Sequence, residues 1–140
     1  MKLWILDTDT LSLLFRGDAK VAARIADKQP SELAVTIVTI EEFLSGWYTT
    51  IRRAKTDEAL ERAYQSLQQT IEFAGQIQVL PFDKRAILRF KQLRCSHRRT
   101  GTNDLRIAAI SLKNSATLVT RNTIDFCPID GLRTENWAGG

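Results

Sequence analysis

Four acids stand where the chain's apolar runs would carry them to one place: Asp7, Glu42, Asp104 and Asp125. Asp7 ends the apolar run Leu3-Trp4-Ile5-Leu6, and Asp125 lies a few residues past Thr117-Leu118-Val119-Thr120. Glu42 falls early in the helical stretch that follows Ala34 to Val38, and Asp104 opens the strongly apolar segment Leu105 to Leu112. Carboxylates at close range repel one another strongly in a partly dry site. A hard divalent cation that prefers oxygen ligands, Mg²⁺ or Mn²⁺, neutralises such a group. The same ions polarise phosphate oxygens and activate water, which is the chemistry of phosphodiester hydrolysis. Each acid also has a plainer reading. Asp7 suits a helix N-cap, Asp104 a cap or first-turn acid, Glu42 beside Glu41 a solvated helix face, and Asp125 a turn. Convergence of all four on one edge is what gives the site reading its weight.

That convergence depends on the elements that carry the acids. Leu3 to Leu6 reads as a strand buried on both faces, as in a parallel sheet. Thr8 or Asp9 caps a helix with Leu11, Leu14 and Phe15 on one side. Gly17 then stops it and Asp18 caps the next. Ala34 to Val38 reads as a second strand, Ile77 to Leu80 as a third, Thr117 to Thr120 as a fourth, and a short fifth falls near Leu132. From about Thr56 to Gly75 the residues Leu60, Tyr64, Leu67, Ile71 and Ala74 recur at helical spacing. Residues 84–95 form another helix, with Ile87, Phe90 and Leu93 inward. Strands alternating with helices point to an α/β fold with a central, mainly parallel sheet of four to five strands flanked by helices. In such folds, sites lie outside the carboxyl ends of the strands.

The chain's 140 residues suit one domain spanning 1–140. The single histidine, His97, excludes a histidine-rich metal site, and Cys95 and Cys127 are too few for a disulfide scaffold. They suit a reducing cytoplasm. No uncharged apolar run is long enough to span a membrane, and Asp7 interrupts the N-terminal run too early for a signal peptide. Twenty Lys and Arg against sixteen Asp and Glu leave a net charge of +4, which permits an anionic partner. The excess is concentrated: Lys84, Arg85, Arg89, Lys91, Arg94, Arg98 and Arg99 occur with no acid among them, and the run leads directly to Asp104. Cations that gather phosphates beside an acidic metal site suit a nuclease. An ordinary solvated helix face is the plain alternative.

Five stretches carry a resemblance. They are Ile5-Leu6-Asp7-Thr8-Asp9, Val38 to Gly46, Gly101 to Ala109, Leu118 to Phe126, and Gly131 to Trp137. In this order and spacing the chain resembles the PIN-domain nucleases, most closely the VapC-type toxins of bacterial toxin–antitoxin pairs. The resemblance implies a PIN-like three-layer α/β fold and a Mg²⁺- or Mn²⁺-dependent endoribonuclease. Asp7, Glu42, Asp104 and Asp125 then serve as its catalytic, metal-holding acids. Glu42 is taken over Glu41 because it directly precedes the Phe-Leu-x-Gly stretch. Two residues after Thr120 the family often has Asp; here stands Asn122, a neutral supporting residue or weak ligand, with Asp125 as a contributor. Thr8, Asn103 and Thr120 would orient carboxylates or water. Hydrolysis on this plan expels the ribose 3′ oxygen and leaves 5′-phosphate and 3′-hydroxyl ends. Lys84, Arg85, Arg89, Arg98 and Arg99 would bind the RNA.

The resemblance further implies a homodimer silenced by a VapB-like antitoxin, with DNA bound only through the antitoxin complex. Leu11, Leu14, Phe15, Trp47 and Tyr48 could line the antitoxin's groove, Trp47 and Tyr48 above the others, although core packing accounts for most of them equally well. Arg106 would pair with a nearby carboxylate or with the antitoxin. Two rivals remain. A PIN-like RNA-binding or scaffold module with a weakened site is favoured by Asn122 alone. A haloacid-dehalogenase-like phosphatase would use Asp7 as nucleophile and Asp9 as acid/base. Leu11 stands where that motif has Thr or Val, so Asp9 is better read as a cap.

Overall fold

The computed structural model describes residues 2–139. Trp4–Leu6 forms the first strand, β1, and is buried throughout. Leu33–Thr36 forms β2, Gln78–Leu80 β3, Thr117–Val119 β4 and Arg133–Glu135 β5. Their order across the sheet is β3-β2-β1-β4-β5, and every pairing is parallel. Crossovers from β1 run outward to β2 and β3, and the chain then returns to add β4 on the other side. The two directions part between β1 and β4, and a crevice forms outside the carboxyl ends of such a pair.

Among the described residues, seven α-helices complete the outer layers: α1 Thr8–Phe15, α2 Ala19–Ala26, α3 Ile37–Arg53, α4 Asp57–Ala74, α5 Lys84–Ser96, α6 Thr102–Lys113 and α7 Thr123–Phe126, with a short 3-10 turn at Pro30–Glu32 before β2. Alternation along the strands divides the core between the two faces of the sheet. Ile5, Ala34 and Leu118 face the side packed by Leu93 of α5 and by Leu105, Ala108 and Ala109 of α6. Trp4, Leu6, Val35 and Val119 face the side packed by Leu11 of α1 and Ile40 of α3. At the carboxyl end of β5, Glu135 accepts hydrogen bonds from the Trp4 and Trp137 indoles at 3.3 and 2.9 Å, and Lys28 lies 4.2 Å from the Trp4 ring centroid.

Several local expectations shift. Asp7 itself, not Thr8 or Asp9, caps α1, accepting from the Thr10 amide at 2.8 Å. The helix Asp104 was expected to open begins at Thr102 after Gly101, which offers no side-chain cap. Asp104 is therefore a first-turn acid. Ile87 of α5 is 37% exposed rather than inward. The face of α4 that docks is turned by about one residue from the expected stripe. Ala63 and Thr70 are buried, while Leu60, Tyr64 and Ile71 stay exposed. The Trp47 indole donates to the Thr70 hydroxyl at 2.9 Å, a polar contact that hydrophobic spacing does not encode. Among the described residues no helix is long and apolar enough to cross a membrane. Cys95 and Cys127 are free and exposed.

Leu118→Ala removes a fully buried side chain from the central strand pair and is expected to cost about 2–5 kcal/mol of unfolding free energy. Ile124→Ala, at a residue 82% exposed, is expected to stay within about 0.5 kcal/mol of the parent. Urea unfolding of both variants measures the contrast.

Candidate active site

The carboxyl ends of β1 and β4, the first turns of α1 and α6, and the stretch of α3 from Glu42 to Thr50 surround a cleft of about 960 Å³. Asp7, Glu42 and Asp104 line it together with Thr8, Asp9, Trp47 and Arg121. Three backbone constraints fix Asp7. Its amide donates to the Val119 carbonyl of β4 at 3.0 Å, its own carbonyl accepts from the Leu11 amide at 3.0 Å, and its carboxylate caps α1. It is only 9% exposed. Burial pushes its carboxyl above the usual range, against the opposing pull of hydrogen bonds from the Thr120 hydroxyl and from Thr10.

Glu42 is held by a chain of hydroxyls. The Thr8 hydroxyl donates to its Oε1 at 2.6 Å. That commits the one Thr8 hydrogen, so at 3.1 Å the Thr39 hydroxyl is the donor to Thr8. Thr36 in turn donates to Thr39 at 3.4 Å, and its own oxygen caps α3 by accepting the Thr39 amide at 3.1 Å. Thr36 and Thr39 are fully buried. Each link polarises the next toward the carboxylate. Glu41, one helical step round, borders a separate shallow groove with Ile37, Leu44 and Tyr48.

Asp104 stands on the cleft's rim. Partial desolvation, then repulsion from Glu42, Asp7 and Asp125, raise its carboxyl above the usual range. Asp125 therefore acts on the group through its field, though it does not line the cleft. Its Oδ2 accepts from the Asn122 amide group at 2.6 Å. Asn122 does line the cleft, and its backbone amide donates to the Thr120 hydroxyl at 3.0 Å. The remaining expected support, Asn103, instead accepts from Arg106 at 3.0 Å. Arg106 pairs with no carboxylate: it lies over the Phe82 and Phe90 rings at 5.8 and 5.6 Å.

The expected RNA-binding residues Lys84, Arg85, Arg89, Arg98 and Arg99 are exposed, and none of them lines the cleft. The cation that does so is Arg121. Its guanidinium donates to both oxygens of Asp9, at 2.6 and 3.1 Å. Sequence reasoning assigned no role to this fork; the only signal was the position of Arg121 directly after Thr120. Trp47 and Tyr48 diverge, Trp47 into the cleft and Tyr48 into the shallow groove. Leu11 and Leu14 belong to the core, and Phe15 packs edge-on to Phe43 and Phe73.

The donors facing the cleft are carboxylate and hydroxyl oxygens with no thiolate or imidazole, the chemistry that suits a hard divalent cation. Among the described residues, no three acidic, histidine or cysteine side chains close on a single point.

The chain matches the family model of the PIN domain over residues 4–132, and it belongs to that family. It is similar to a chain of the DNA-bound VapBC complex from Salmonella typhimurium. That likeness has 25% identity and a TM-score of 0.80 over 98% of this chain and 99% of that one. It is also similar to a chain of VapBC-1 from nontypeable Haemophilus influenzae, with 22% identity and a TM-score of 0.79 over 98% and 99% of the two chains. VapBC-5 from Mycobacterium tuberculosis, a member of the VapBC family of toxin–antitoxin systems, shares the fold at 20% identity and a TM-score of 0.63, over 97% and 99%. By sequence, no curated protein matches significantly.

The raised carboxyl of Asp7 has a stability consequence. The folded state holds this proton more tightly than the unfolded one, so its contribution is present at low pH and is lost as pH rises through the raised folded value. Asn at this position keeps the cap and removes the buried charge. Asp7→Asn is expected to melt at a higher temperature than the parent at pH 7, and the gap is expected to narrow as pH falls toward 4. Thermal melts across that range check both the sign and the trend.

Proposed function

We propose that this chain is the toxin of a toxin–antitoxin pair, a divalent-metal-dependent endoribonuclease that hydrolyses RNA phosphodiester bonds. The observation that carries the reading is the cleft itself: Asp7, Glu42 and Asp104, from three distant stretches of chain, line one cleft. Membership of the PIN family and the likeness to VapBC chains support it.

Asp7, Glu42 and Asp104 are the residues that would hold Mg²⁺ or Mn²⁺, with Asp125 adding negative potential from behind Asn122. Mg²⁺ keeps several waters and needs only one or two direct carboxylates, so a set that does not close on one point is adequate. The chemistry such an ion supplies is polarisation of a phosphoryl oxygen and a water acidic enough to attack phosphorus. The chain's own groups do the rest. The hydroxyl chain through Thr8 keeps the Glu42 carboxylate aimed into the cleft. The bonds made by Asp7 to β4 and α1 keep its carboxylate from swinging away. Arg121, already presented as a fork, can exchange Asp9 for phosphate oxygens and seat the strand. Lys84, Arg85, Arg89, Arg98 and Arg99 extend the cationic surface outside the cleft.

A VapB-like antitoxin is the natural partner, and the open side of the cleft, with the half-buried Trp47 in its wall, is where an inhibitory segment would lie. DNA would be bound through that antitoxin, in a complex built on a toxin homodimer.

Purified chain incubated with single-stranded and structured RNA and Mg²⁺ or Mn²⁺ is expected to cleave, leaving 5′-phosphate ends. Asp7→Asn is expected to lower the rate at least about 100-fold. Equal cleavage by both proteins would remove these residues from the chemistry. Binding without cleavage by the parent would identify an RNA-binding module, and phosphate release from a small ester with RNA intact would identify a phosphatase. Thr8→Val removes the donor to Glu42 and the acceptor of the buried Thr39 hydroxyl, and is expected to slow cleavage about tenfold and to cost about 1–3 kcal/mol of stability. Rate measurements beside thermal melts separate the two effects.

A further inference from the structure

The acid-free run from Lys84 to Arg99 is not one uniform surface, because Arg94 is turned inward on the chain. Its Nη1 donates to the carbonyls of His97, Arg98 and Thr100 at 3.1, 3.2 and 2.9 Å. Its Nη2 donates to the Thr102 hydroxyl at 3.2 Å. The guanidinium also lies 5.6 Å from the centroid of the Phe90 ring, one turn back on α5. One side chain therefore gathers three of the five backbone carbonyls of the loop between α5 and α6, and the hydroxyl of the first residue of α6 as well.

We infer that Arg94 is a positioning residue for Asp104, acting through this loop rather than by contact with RNA; the inference rests on the nuclease reading above. The connection is short. Gly101 is the N-cap of α6, and its carbonyl accepts the Leu105 amide at 2.9 Å to close the first turn. A Cβ built on Gly101 would lie 3.6 Å from Oδ2 of Asp104, so loop backbone and carboxylate are near neighbours. No side chain caps this helix. What fixes its start is the pair of bonds from Arg94 on either side of Gly101, to Thr100 and to Thr102. The same clamp turns Arg98 and Arg99 outward, where both are exposed. The three carbonyls share the two hydrogens of Nη1, and a second nitrogen, Nη2, serves the Thr102 hydroxyl. A lysine ammonium keeps the charge on one nitrogen and has no second nitrogen to reach Thr102 while it holds the carbonyls.

The test compares Arg94→Lys and Arg94→Gln with the parent in three readouts. The first needs no catalysis: tryptic cleavage after Arg98 and Arg99 under native conditions, and hydrogen exchange of the Leu105 amide. Both are expected to rise in both variants. The second is single-turnover cleavage, in which the rate at saturating RNA is expected to fall about 10- to 100-fold in both variants. The third is RNA affinity against salt, expected to be unchanged, with the same slope of log K on log salt. A phosphate contact predicts the opposite: Gln weakens binding and lowers the slope by about 0.7–0.9, while Lys restores both. That result with an undisturbed loop overturns the inference. So does a lower melting temperature with unchanged loop protection, which would make Arg94 a fold residue only. If the parent cleaves no RNA, the nuclease reading fails, and the loop readout still decides whether Arg94 holds the start of α6.

Discussion

A buried carboxylate that cannot move away from its neighbours is the constraint on which the site depends. Asp7 occupies the point where the central strand stops, so the register of β1 against β4 sets its height and the start of α1 sets its direction. A more exposed acid would relieve the repulsion by swinging into water. Asp7 cannot do so without giving up the helix cap. Folding therefore concentrates negative charge, and burial raises the proton affinity of Asp7 and Asp104 rather than dispersing them. A site in that condition binds a cation or a proton most readily, and binding energy released there is available for chemistry.

The surrounding polar groups divide between holding and exchanging. The buried hydroxyls of Thr36 and Thr39, with Thr8 at the cleft, pass hydrogen bonds in one direction and end on Glu42. They lie at the junction of β2 and α3, where the backbone changes from extended to helical, and Thr36 serves both as cap and as first donor. Arg121 and Asp9, each about half-exposed, form an ion pair that water and salt weaken. Such a pair gives way when a stronger anion arrives. Arg94 belongs with the holding groups although it is charged, since its partners are neutral: three carbonyls of the loop after α5 and the Thr102 hydroxyl.

Much of this was legible in the sequence. The run Trp4 to Leu6 is apolar without alternation because both faces are covered, and the sheet proves parallel throughout among the described residues. Glu42 was separable from Glu41 by the motif beside it, and one helical step does place the two on different grooves. The missed details share a cause: they depend on contacts between segments far apart in sequence. The docking face of α4 is set by Thr70 meeting Trp47. The fork of Arg121 depends on Asp9, more than a hundred residues away in the chain. Nor does a string of cations reveal which one the backbone will claim. Arg94 differs from Arg89 or Arg98 only in having a loop of free carbonyls within reach.

A cation held by Asp7, Glu42 and Asp104, as proposed, would compete with protons for the raised carboxyls of Asp7 and Asp104. Titration of Mn²⁺ into the parent and into Asp7→Asn, followed by water-proton relaxation at pH 7.5 and pH 5, addresses that competition directly. Saturable binding by the parent is expected at the higher pH, with weaker binding at the lower pH as the raised carboxyls take up protons, and loss of that binding in the variant. Binding that is indifferent both to pH and to Asp7 would contradict the proposed cation site.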